Sequence, residues 1–302
     1  MILVAGGTGR LGQLVVRRLT ESGHPVRVLT RDPARAGQFA GIPVEIVEGD
    51  VRDATTLPRA LEGVDVVVSA VHGFAGPGGV TPRSVDRDGN RNFIRAAKDA
   101  GARFILVSVV GASPDNPMEL CRMKHAAEQT LQASGCPWTI IRATSFLELW
   151  IEMLQSTAAK SGRPLIFGKG ENPINFVSVE DVARAVEWAC IEPSALGRIL
   201  EIGGPENLTF NQLAALVQAP GTNQAQPRHI PRPMLRIMAA TVGRLKPMLG
   251  GQMRASLVMD TQPMTFDAAS HTFPPFAPTH AAVVIERAGV HVADSRSPSA
   301  VS

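Results

Sequence analysis

Residues 2–12 read ILVAGGTGRLG, and this stretch decides the fold. Its first four residues form an all-apolar run that ends at glycines, which is typical of a buried parallel strand. From Arg10 onward, apolar residues recur at helical spacing until Gly23 closes the helix. A strand, a tight glycine turn and a helix in this order predict the first unit of a parallel α/β sheet.

The glycines of the turn satisfy two spacings, Gly6-Gly9-Gly12 and Gly7-Gly9-Gly12. Glycine permits positive φ and lets backbone amides approach a phosphate closely. The start of the helix adds N–H groups and the positive end of its dipole. Because the motif joins a strand to a helix, it predicts a pyrophosphate site rather than an ordinary turn. The loop residues of this site are Gly6, Gly7, Thr8, Gly9, Arg10, Leu11 and Gly12.

Strands and helices continue to alternate with short connections. Further strands are predicted over residues 25–30, 43–47, 64–71, 103–110 and 138–142. Such alternation indicates βαβ units with helices on both faces of the sheet. The predicted fold class is therefore α/β, a Rossmann doubly wound parallel sheet with a smaller C-terminal substrate lobe.

The rhythm of the sequence changes after Thr144. We expect a nucleotide-binding domain over residues 1–145, with the amphipathic helix in 176–192 packing back on it. Residues 146–288 are expected to form the substrate-binding lobe. Residues 289–302 are small and polar, so we expect a disordered tail.

Composition narrows the class of protein. Of 302 residues, 44% are hydrophobic and 19% charged, which argues for a folded domain. The net charge of +3 comes without a basic stripe, so no nucleic-acid partner is expected. The three cysteines form no CxxC pair, which predicts neither a metal site nor disulfides and favours a reducing cytoplasm. We expect no signal peptide and no transmembrane segment, and homo-oligomerisation stays open.

The end of the second strand distinguishes NADP from NAD. Strand register places Thr30 where NAD-binding proteins carry an acidic residue for the ribose. A neutral residue there spares a 2′-phosphate from repulsion, and Arg31 and Arg35 could bond it. A register two residues later would instead make Asp32 the ribose ligand and favour NAD. NADP(H) is the preferred prediction, with NAD(H) as the alternative.

Later strand ends add candidates for the same site. Asp50 and Val51 follow the third strand, where a carboxylate could accept from the adenine amine, although a plain turn aspartate fits equally well. The fourth strand ends at Ala70, Val71 and His72, which we expect to pass along the adenine ribose and pyrophosphate.

Several motifs together resemble a known family. They are GGTGRLG, LTRDPARA, EGDV, Asp88-Gly89-Asn90, LVSVVGA, Lys124 with Glu128, SGCPWTIIR and FVSVEDVARAV. The combination is similar to the atypical short-chain dehydrogenases of the NmrA-like group, with isoflavone-reductase-like and quinone-reductase-like relatives. It covers roughly residues 1–205. The resemblance implies NADP(H) at the carboxyl edge of the sheet, with the 2′-phosphate at Arg31 and Arg35.

The resemblance also exposes a missing residue. The Tyr-x-x-x-Lys pair of ordinary short-chain dehydrogenases corresponds to Leu120 and Lys124, and the chain contains no tyrosine. Lys124 is predicted to hold the nicotinamide ribose and to polarise a substrate oxygen. The alternative is an exposed lysine paired with Glu128. Ser108 is the second catalytic candidate, or else a strand-end turn residue.

Fewer signals point to the substrate. His72 could donate a proton or line the substrate site, and an ordinary loop histidine is the alternative. After the sixth strand, Thr144 is expected to pass the nicotinamide and Phe146 to form a wall, unless Phe146 is plain core.

Methionines and basic residues are concentrated in the last third. The residues are Met234, Met238, Met248, Met253, Met259, Met264, Arg232, Arg236, Arg244, Lys246 and Arg254. The segment 231–259 is predicted to be helical with interruptions at Pro247 and Gly250-Gly251. It could be a lid over an apolar pocket such as a quinone site, a core with a basic outer face, or a contact with a membrane or partner.

Together these features predict an NADPH-dependent oxidoreductase that passes hydride to a small apolar carbonyl, quinone or enone without the usual tyrosine. The alternative is a non-catalytic NADP(H)-binding redox sensor or scaffold of the NmrA type. A sugar-nucleotide epimerase fits least, because that chemistry normally depends on the absent tyrosine.

Overall fold

The computed structural model describes residues 1–73, 79–218, 226–271 and 273–294. The chain forms two compact units. The first unit combines Met1–Ala143 with Val179–Ile202, and the second combines Thr144–Ser178 with Gly203–Ser302. The first segment of this unit thus ends two residues before the expected boundary at 145. Its second segment continues beyond the expected range 176–192 by a further strand.

The strands of the described residues are β1 Ile2–Ala5, β2 Val26–Thr30, β3 Val44–Glu48, β4 Val66–Ser69, β5 Arg103–Val109, β6 Trp138–Ala143, β7 Ser145–Phe146, β8 Leu165–Phe167, β9 Ile174–Val177, β10 Arg198–Ile202, β11 Asn207–Leu208 and β12 Arg228–Ile230. The α-helices are α1 Arg10–Glu21, α2 Leu57–Ala60, α3 Asn90–Asp99, α4 Glu119–Ala133, α5 Leu147–Ser161, α6 Val179–Ile191, α7 Phe210–Val217, α8 Arg232–Leu245, α9 Pro247–Met259 and α10 Ala281–Asp294.

The first unit contains a seven-stranded sheet in the order β10-β6-β5-β4-β1-β2-β3. Every neighbouring pair is parallel. Strand order reverses between β1 and β4, which is the switch point where doubly wound sheets bind ligands. The predicted Rossmann-type α/β fold is therefore confirmed. The seventh strand, β10, comes from a region that the sequence analysis assigned to the substrate lobe.

Helices cover both faces of this sheet because its strands are apolar on both sides. Leu3 and Phe104 face α3 and α4, where Phe93 packs edge-on against Phe104 with ring centroids 5.4 Å apart. On the other face α1 packs against α6. Arg18 of α1 donates to Glu187 of α6 at 2.6 Å, which fastens the second chain segment onto the first.

The second unit has its own core and two small sheets. In one sheet β9 lies between β11 and β7, and β8 pairs with β12 in the other. Its core is apolar and draws on several helices, with buried members Leu147, Ile151, Leu154, Ile166, Ile174, Phe176, Phe210, Leu213, Ala214, Met259, Ala281 and Val284.

Two expectations about the end of the chain were wrong. A break does occur before Pro247, but α9 continues through Gly250 and Gly251. The reason is a close helix crossing: a Cβ on Gly250 would lie 2.5 Å from the Cα of Gly243 in α8. In addition α10 continues to Asp294, so residues 289–294 are helical, while the rest of the expected tail lies outside the described residues.

The cysteines, the lengths of the helices and the metal-ligating side chains bear on the class of protein. All three cysteines are buried and unpaired. Burial raises the pKa of the Cys121 thiol to about 11 and that of Cys190 to about 12. Within the described ranges, no helix is long and apolar enough to cross a bilayer. The same part of the chain holds no cluster of metal-ligating side chains.

Candidate dinucleotide site

The loop between β1 and α1 is a tight turn that requires glycine. Gly6 has φ +81°, and a Cβ there would lie 2.6 Å from the carbonyl oxygen of Ala70. A Cβ on Gly12 would overlap the carbonyl oxygen of Gly6, and one on Gly7 would lie 2.7 Å from the side chain of Val28. Gly9 N donates to that Gly6 oxygen at 2.9 Å, which closes the turn. Gly6, Gly7 and Gly12 therefore permit the packing of loop, helix and strand.

Gly9 has a different role from the other loop glycines. A Cβ there would meet one protein atom, the Gly6 oxygen, in a tight contact at 3.2 Å, whereas a Cβ on Gly6, Gly7 or Gly12 would approach its neighbours more closely still. Gly9 is also the N-cap of α1 and supplies no capping side chain. A glycine without a side chain before the positive end of a helix is the arrangement that receives a phosphate. The loop therefore fits the diphosphate of a dinucleotide.

The residues at the end of β2 favour a 2′-phosphate over a bare ribose. Thr30 is the last residue of β2 and is buried, as the predicted register requires. Arg31 and Arg35 are exposed, and Arg35 reaches the phosphate loop by donating to the Thr8 carbonyl at 3.4 Å. Asp32 caps the 3₁₀ helix Pro33–Phe39 by accepting from the amide of Ala34 at 3.1 Å. Asp32, the residue that would hold the ribose in an NAD-binding protein, is thus already used as the cap of this helix.

Asp50 has a partner that sequence reasoning missed. Arg52 donates to its carboxylate at 2.6 and 2.9 Å. Partial burial acts to raise the pKa of Asp50, but the Arg52 hydrogen bonds outweigh it and lower the pKa below the ordinary value. An adenine amine would have to share this carboxylate with Arg52. The neighbouring Val51 is buried in the core of the first unit.

The segment after β4 lies against the phosphate loop. The carbonyl of Ala70 faces Gly6, and the carbonyl of Val71 accepts from the ammonium of Lys124 at 3.0 Å. The next residue, His72, is exposed. Desolvation by surrounding protein atoms lowers the pKa of His72, Lys124 lowers it further, and Asp86 opposes both. A lowered pKa reduces the protonated fraction at neutral pH, which disfavours His72 as a proton donor.

Lys124 is buried rather than exposed, with only 4% of its surface accessible. Its Nζ lies 3.0 Å from Asp86 Oδ1 and donates to the carbonyls of Val71 and Val107, at 3.0 and 2.9 Å. The alternative of a surface pair with Glu128 is therefore wrong. An ammonium has three donors, so a cofactor or substrate oxygen would have to replace one of these partners. A role of Lys124 at the ribose stays a prediction.

Asp86 is the main residue of the site that sequence reasoning missed. It is fully buried, and its Oδ2 accepts from the amide of Gly73 at 2.7 Å. The side chain of Asn90 donates to the Asp86 carbonyl at 2.8 Å and accepts from Ser69 at 2.6 Å. The polar pair at i and i+4 on an otherwise apolar helix face was the available signal. Asp86 fixes both Lys124 and the segment after β4.

Ser108 is also engaged in a buried network. Its hydroxyl donates to Glu128 at 2.5 Å, and Arg142 donates to the same carboxylate at 2.7 and 3.0 Å. Arg142 bonds Glu201 of β10 as well, at 3.1 Å. Hydrogen bonding to Glu128, despite the opposing effect of burial, raises the pKa of Arg142. This network joins α4 to three neighbouring strands, and sequence reasoning did not find it.

The remaining two candidates belong to the second unit. Thr144 donates to the buried side chain of Asn175 at 2.9 Å. Phe146 is half-buried in β7, where it pairs with Val177 of β9. Their predicted roles at the nicotinamide and substrate stay predictions.

Comparison with known proteins gives the class of this chain. Residues 6–191 match a family described as NAD(P)H-binding. The matched region begins at the phosphate loop and ends with α6. The chain belongs to this NAD(P)H-binding family, which confirms the class of cofactor predicted from the glycine motif and the NmrA-like resemblance.

Named relatives include several reductases. The chain is 31% identical to the NAD(P)H azoreductase of Xenophilus azovorans, covering 93% of this chain and 98% of the relative. It is 29% identical to an isoflavone reductase homologue of Nicotiana tabacum, over 71% and 72% of the two chains. The fold matches an NADPH-dependent quinone oxidoreductase from Escherichia coli with a TM-score of 0.78 and 22% identity, covering 96% and 100%.

Proposed function

We propose that this protein is an NADPH-dependent oxidoreductase that reduces small apolar carbonyls, quinones or enones. The observation that carries the proposal is the glycine phosphate loop, which Arg35 reaches through the Thr8 carbonyl, with the exposed Arg31 directly after β2. Membership of the NAD(P)H-binding family and the reductase relatives support it. When bound, the reduced nicotinamide supplies the hydride.

The chain's own residues bind and orient the cofactor. The amides of the phosphate loop neutralise the diphosphate, and Arg31 and Arg35 hold the 2′-phosphate. The Asp86–Lys124 pair holds the segment 71–73 beside that loop, through the carbonyl of Val71 and the amide of Gly73. Rigid support of this kind keeps a binding site organised before the ligand arrives.

The proton that completes the reduction is assigned to water. Tyrosine is absent from the sequence. Lys124 and Ser108 are both surrounded by buried acceptors, so either would have to break an existing bond in order to serve the substrate oxygen. Quinones and enones suit such a site, because their reduced oxygen is a weaker base than a simple alkoxide and needs less help from an acid.

Lys124 and Ser108 are already hydrogen-bonded to protein acceptors. This observation favours a second candidate function, that of a non-catalytic NADP(H) sensor or scaffold. Such a protein needs the phosphate loop and the two arginines but no proton donor. The two functions make opposite predictions for cofactor oxidation.

The test measures NADPH binding and NADPH oxidation with the same protein sample. Binding is followed by calorimetry, and oxidation by the absorbance of NADPH with a panel of quinones, enones, aldehydes and azo dyes. Turnover that falls with cofactor affinity in Arg35→Glu, but not in the surface control Arg59→Glu, supports the oxidoreductase. Tight binding without oxidation of NADPH by any compound supports the sensor. Absence of binding to NADPH and NADH would contradict both.

A further inference from the structure

Positive charge is concentrated in one part of the second unit. Residues 207–259 contain no aspartate and no glutamate. They contain six lysines and arginines: Arg228, Arg232, Arg236, Arg244, Lys246 and Arg254. Since the whole chain has a net charge of +3, the other residues are together net negative. Most of the six lie on α8 and α9, which we call the basic hairpin, residues 232–259.

The first helix of the basic hairpin exposes apolar side chains beside its charges. Ile237 is 63% exposed and Met234 52%, the two highest values among the large hydrophobic residues of the described chain. Leu235 and Ala239 on the opposite side of α8 are buried. Arg244 follows Ile237 by two helical turns on the outer face and is exposed. The outer face of α8 is therefore both apolar and cationic.

The second helix begins in the same way. Lys246 is exposed before α9, and Met248 and Leu249 are 42% and 36% exposed. The close approach of Gly243 and Gly250 holds the two helices together where they cross. Arg232 does not belong to the exposed cations of the hairpin, because its guanidinium donates to the buried carboxylate and the carbonyl of Asp260. Arg236, Arg244, Lys246 and Arg254 are the exposed cations of the hairpin.

We propose that the basic hairpin docks on an anionic lipid bilayer. A helix that carries exposed arginines and aliphatic or thioether side chains on one face is suited to lie in the bilayer interface. There the apolar side chains enter the acyl boundary while the cations meet acidic headgroups. A fluid surface accepts separate protruding side chains, whereas a protein partner would need a matching shape.

Two other occupants fit less well. A second copy of the chain would bring two cationic faces together, which repel each other. Protein interfaces depend strongly on tryptophan and tyrosine, and residues 226–259 contain neither, nor any phenylalanine. The bilayer therefore fits both the charge and the residue types of this surface.

Vesicle co-sedimentation tests the proposal with the full chain. The probes are vesicles of phosphatidylcholine alone and vesicles with about one-third phosphatidylglycerol, in low salt and in about 0.5 M salt. We expect binding only to the anionic vesicles, and we expect high salt to weaken it strongly. Arg236→Gln with Arg244→Gln should reduce the partition coefficient about 25-fold, because each cation near the surface contributes about fivefold.

The apolar contribution needs its own variants. Met234→Ser with Ile237→Ser should weaken binding by about tenfold or more if the side chains enter the acyl boundary. Matched controls on the first unit are Arg59→Gln with Arg95→Gln and Ile191→Ser with Leu196→Ser, which change exposed residues of the same kinds. NADPH binding by each variant verifies that it is folded.

Three results would overturn the proposal: no sedimentation with anionic vesicles, equal loss in the control variants, or sedimentation that the Met234 and Ile237 changes leave unaltered. The last result would mean that charge attracts the protein to the vesicle while its apolar side chains do not enter the bilayer. Because cofactor binding is measured separately, failure of docking is distinguishable from failure of the proposed oxidoreductase.

Discussion

At the scale of single residues, the proposed function assigns the choice of cofactor to two arginines. Arg31 and Arg35 are exposed near the phosphate loop, and the neighbouring carboxylate of Asp32 is engaged in a cap. A guanidinium bond to a phosphate contributes about 1.5–3 kcal/mol, far more than an exposed surface pair. The preference for NADPH is therefore a property of very few atoms.

Reversing either charge should reverse this preference. Arg31→Glu and Arg35→Glu should each weaken NADPH binding about 10- to 100-fold and leave NADH binding nearly unchanged. Dissociation constants for both cofactors, measured by fluorescence titration, give the result, with Arg59→Glu as a control of equal charge change. An unchanged ratio of the two constants would remove the 2′-phosphate assignment.

The buried pair of Lys124 and Asp86 contributes chiefly by the cost of breaking it. Lys124→Met should lower the free energy of unfolding by about 3–5 kcal/mol, because Asp86 is left charged and buried. The double variant Lys124→Met with Asp86→Asn should recover part of this loss. Urea unfolding of the three proteins measures both effects. A stability of Lys124→Met equal to the wild type would mean that the pair is not formed.

The titration of His72 reports chiefly on the desolvation of its imidazole by surrounding protein atoms. Its pKa is lowered below the ordinary 6.5, so the unfolded chain binds more protons than the folded chain in the pH range just under 6.5. Stability should therefore rise with pH through this range, and His72→Gln should lose part of that rise. Histidine NMR should place the His72 midpoint below 6.5. A midpoint above 6.5 would contradict the described surroundings.

At the scale of elements, the β1–α1 connection divides its glycines into two groups. Gly6, Gly7 and Gly12 permit packing, since a Cβ at any of them would meet protein atoms at close range. A Cβ on Gly9 would meet a single protein atom, the Gly6 oxygen at 3.2 Å. The motif therefore fixes the first βα unit through Gly6, Gly7 and Gly12, and in the proposed function it receives a phosphate at Gly9.

Gly9→Ala should separate these two roles. We expect the variant to fold, because its Cβ would meet one protein atom at 3.2 Å and a shift of a few tenths of an ångström relieves that contact. Its affinity for NADPH should fall by about tenfold or more, since the methyl group occupies the space of the phosphate. Calorimetry measures the affinity, and thermal unfolding checks the fold. Gly37→Ala, with no atom within 4 Å of its Cβ, is the matched control. Equal affinity in both variants would refute the phosphate cradle.

At the scale of the whole molecule, the nucleotide-binding unit is assembled from two chain segments. The strand β10 pairs with β6 along its whole length, and α6 covers α1. Both come from Val179–Ile202, after the chain has passed through part of the second unit. The integrity of the first unit therefore depends on a segment remote in sequence.

A chain shortened to residues 1–145 should accordingly fail to fold cooperatively. Removal of α6 and β10 exposes the apolar surface of α1 and leaves the edge of β6 open, which favours aggregation. Circular dichroism during urea unfolding and size-exclusion chromatography measure the outcome, with the full chain as control. A cooperative monomeric transition for the shortened chain would show that the second segment is dispensable.

Features that depend on neighbouring residues could be predicted from the amino-acid sequence alone. Strand–helix alternation, the glycine spacing and the position of Thr30 at the end of β2 follow from local backbone geometry and hydrophobic periodicity. The cofactor class follows from them too, because a tight glycine turn before a helix has few other uses.

The partners of the buried polar groups became visible when the folded chain was known. Lys124 meets Asp86, Ser108 meets Glu128, and Gly250 meets Gly243, in each case across a fold that a linear pattern does not encode. A charge or a glycine has the same appearance in sequence whether exposed or buried. Its environment is set by segments distant along the chain, which is why the sequence could suggest Lys124 and Ser108 as candidates without showing what they contact.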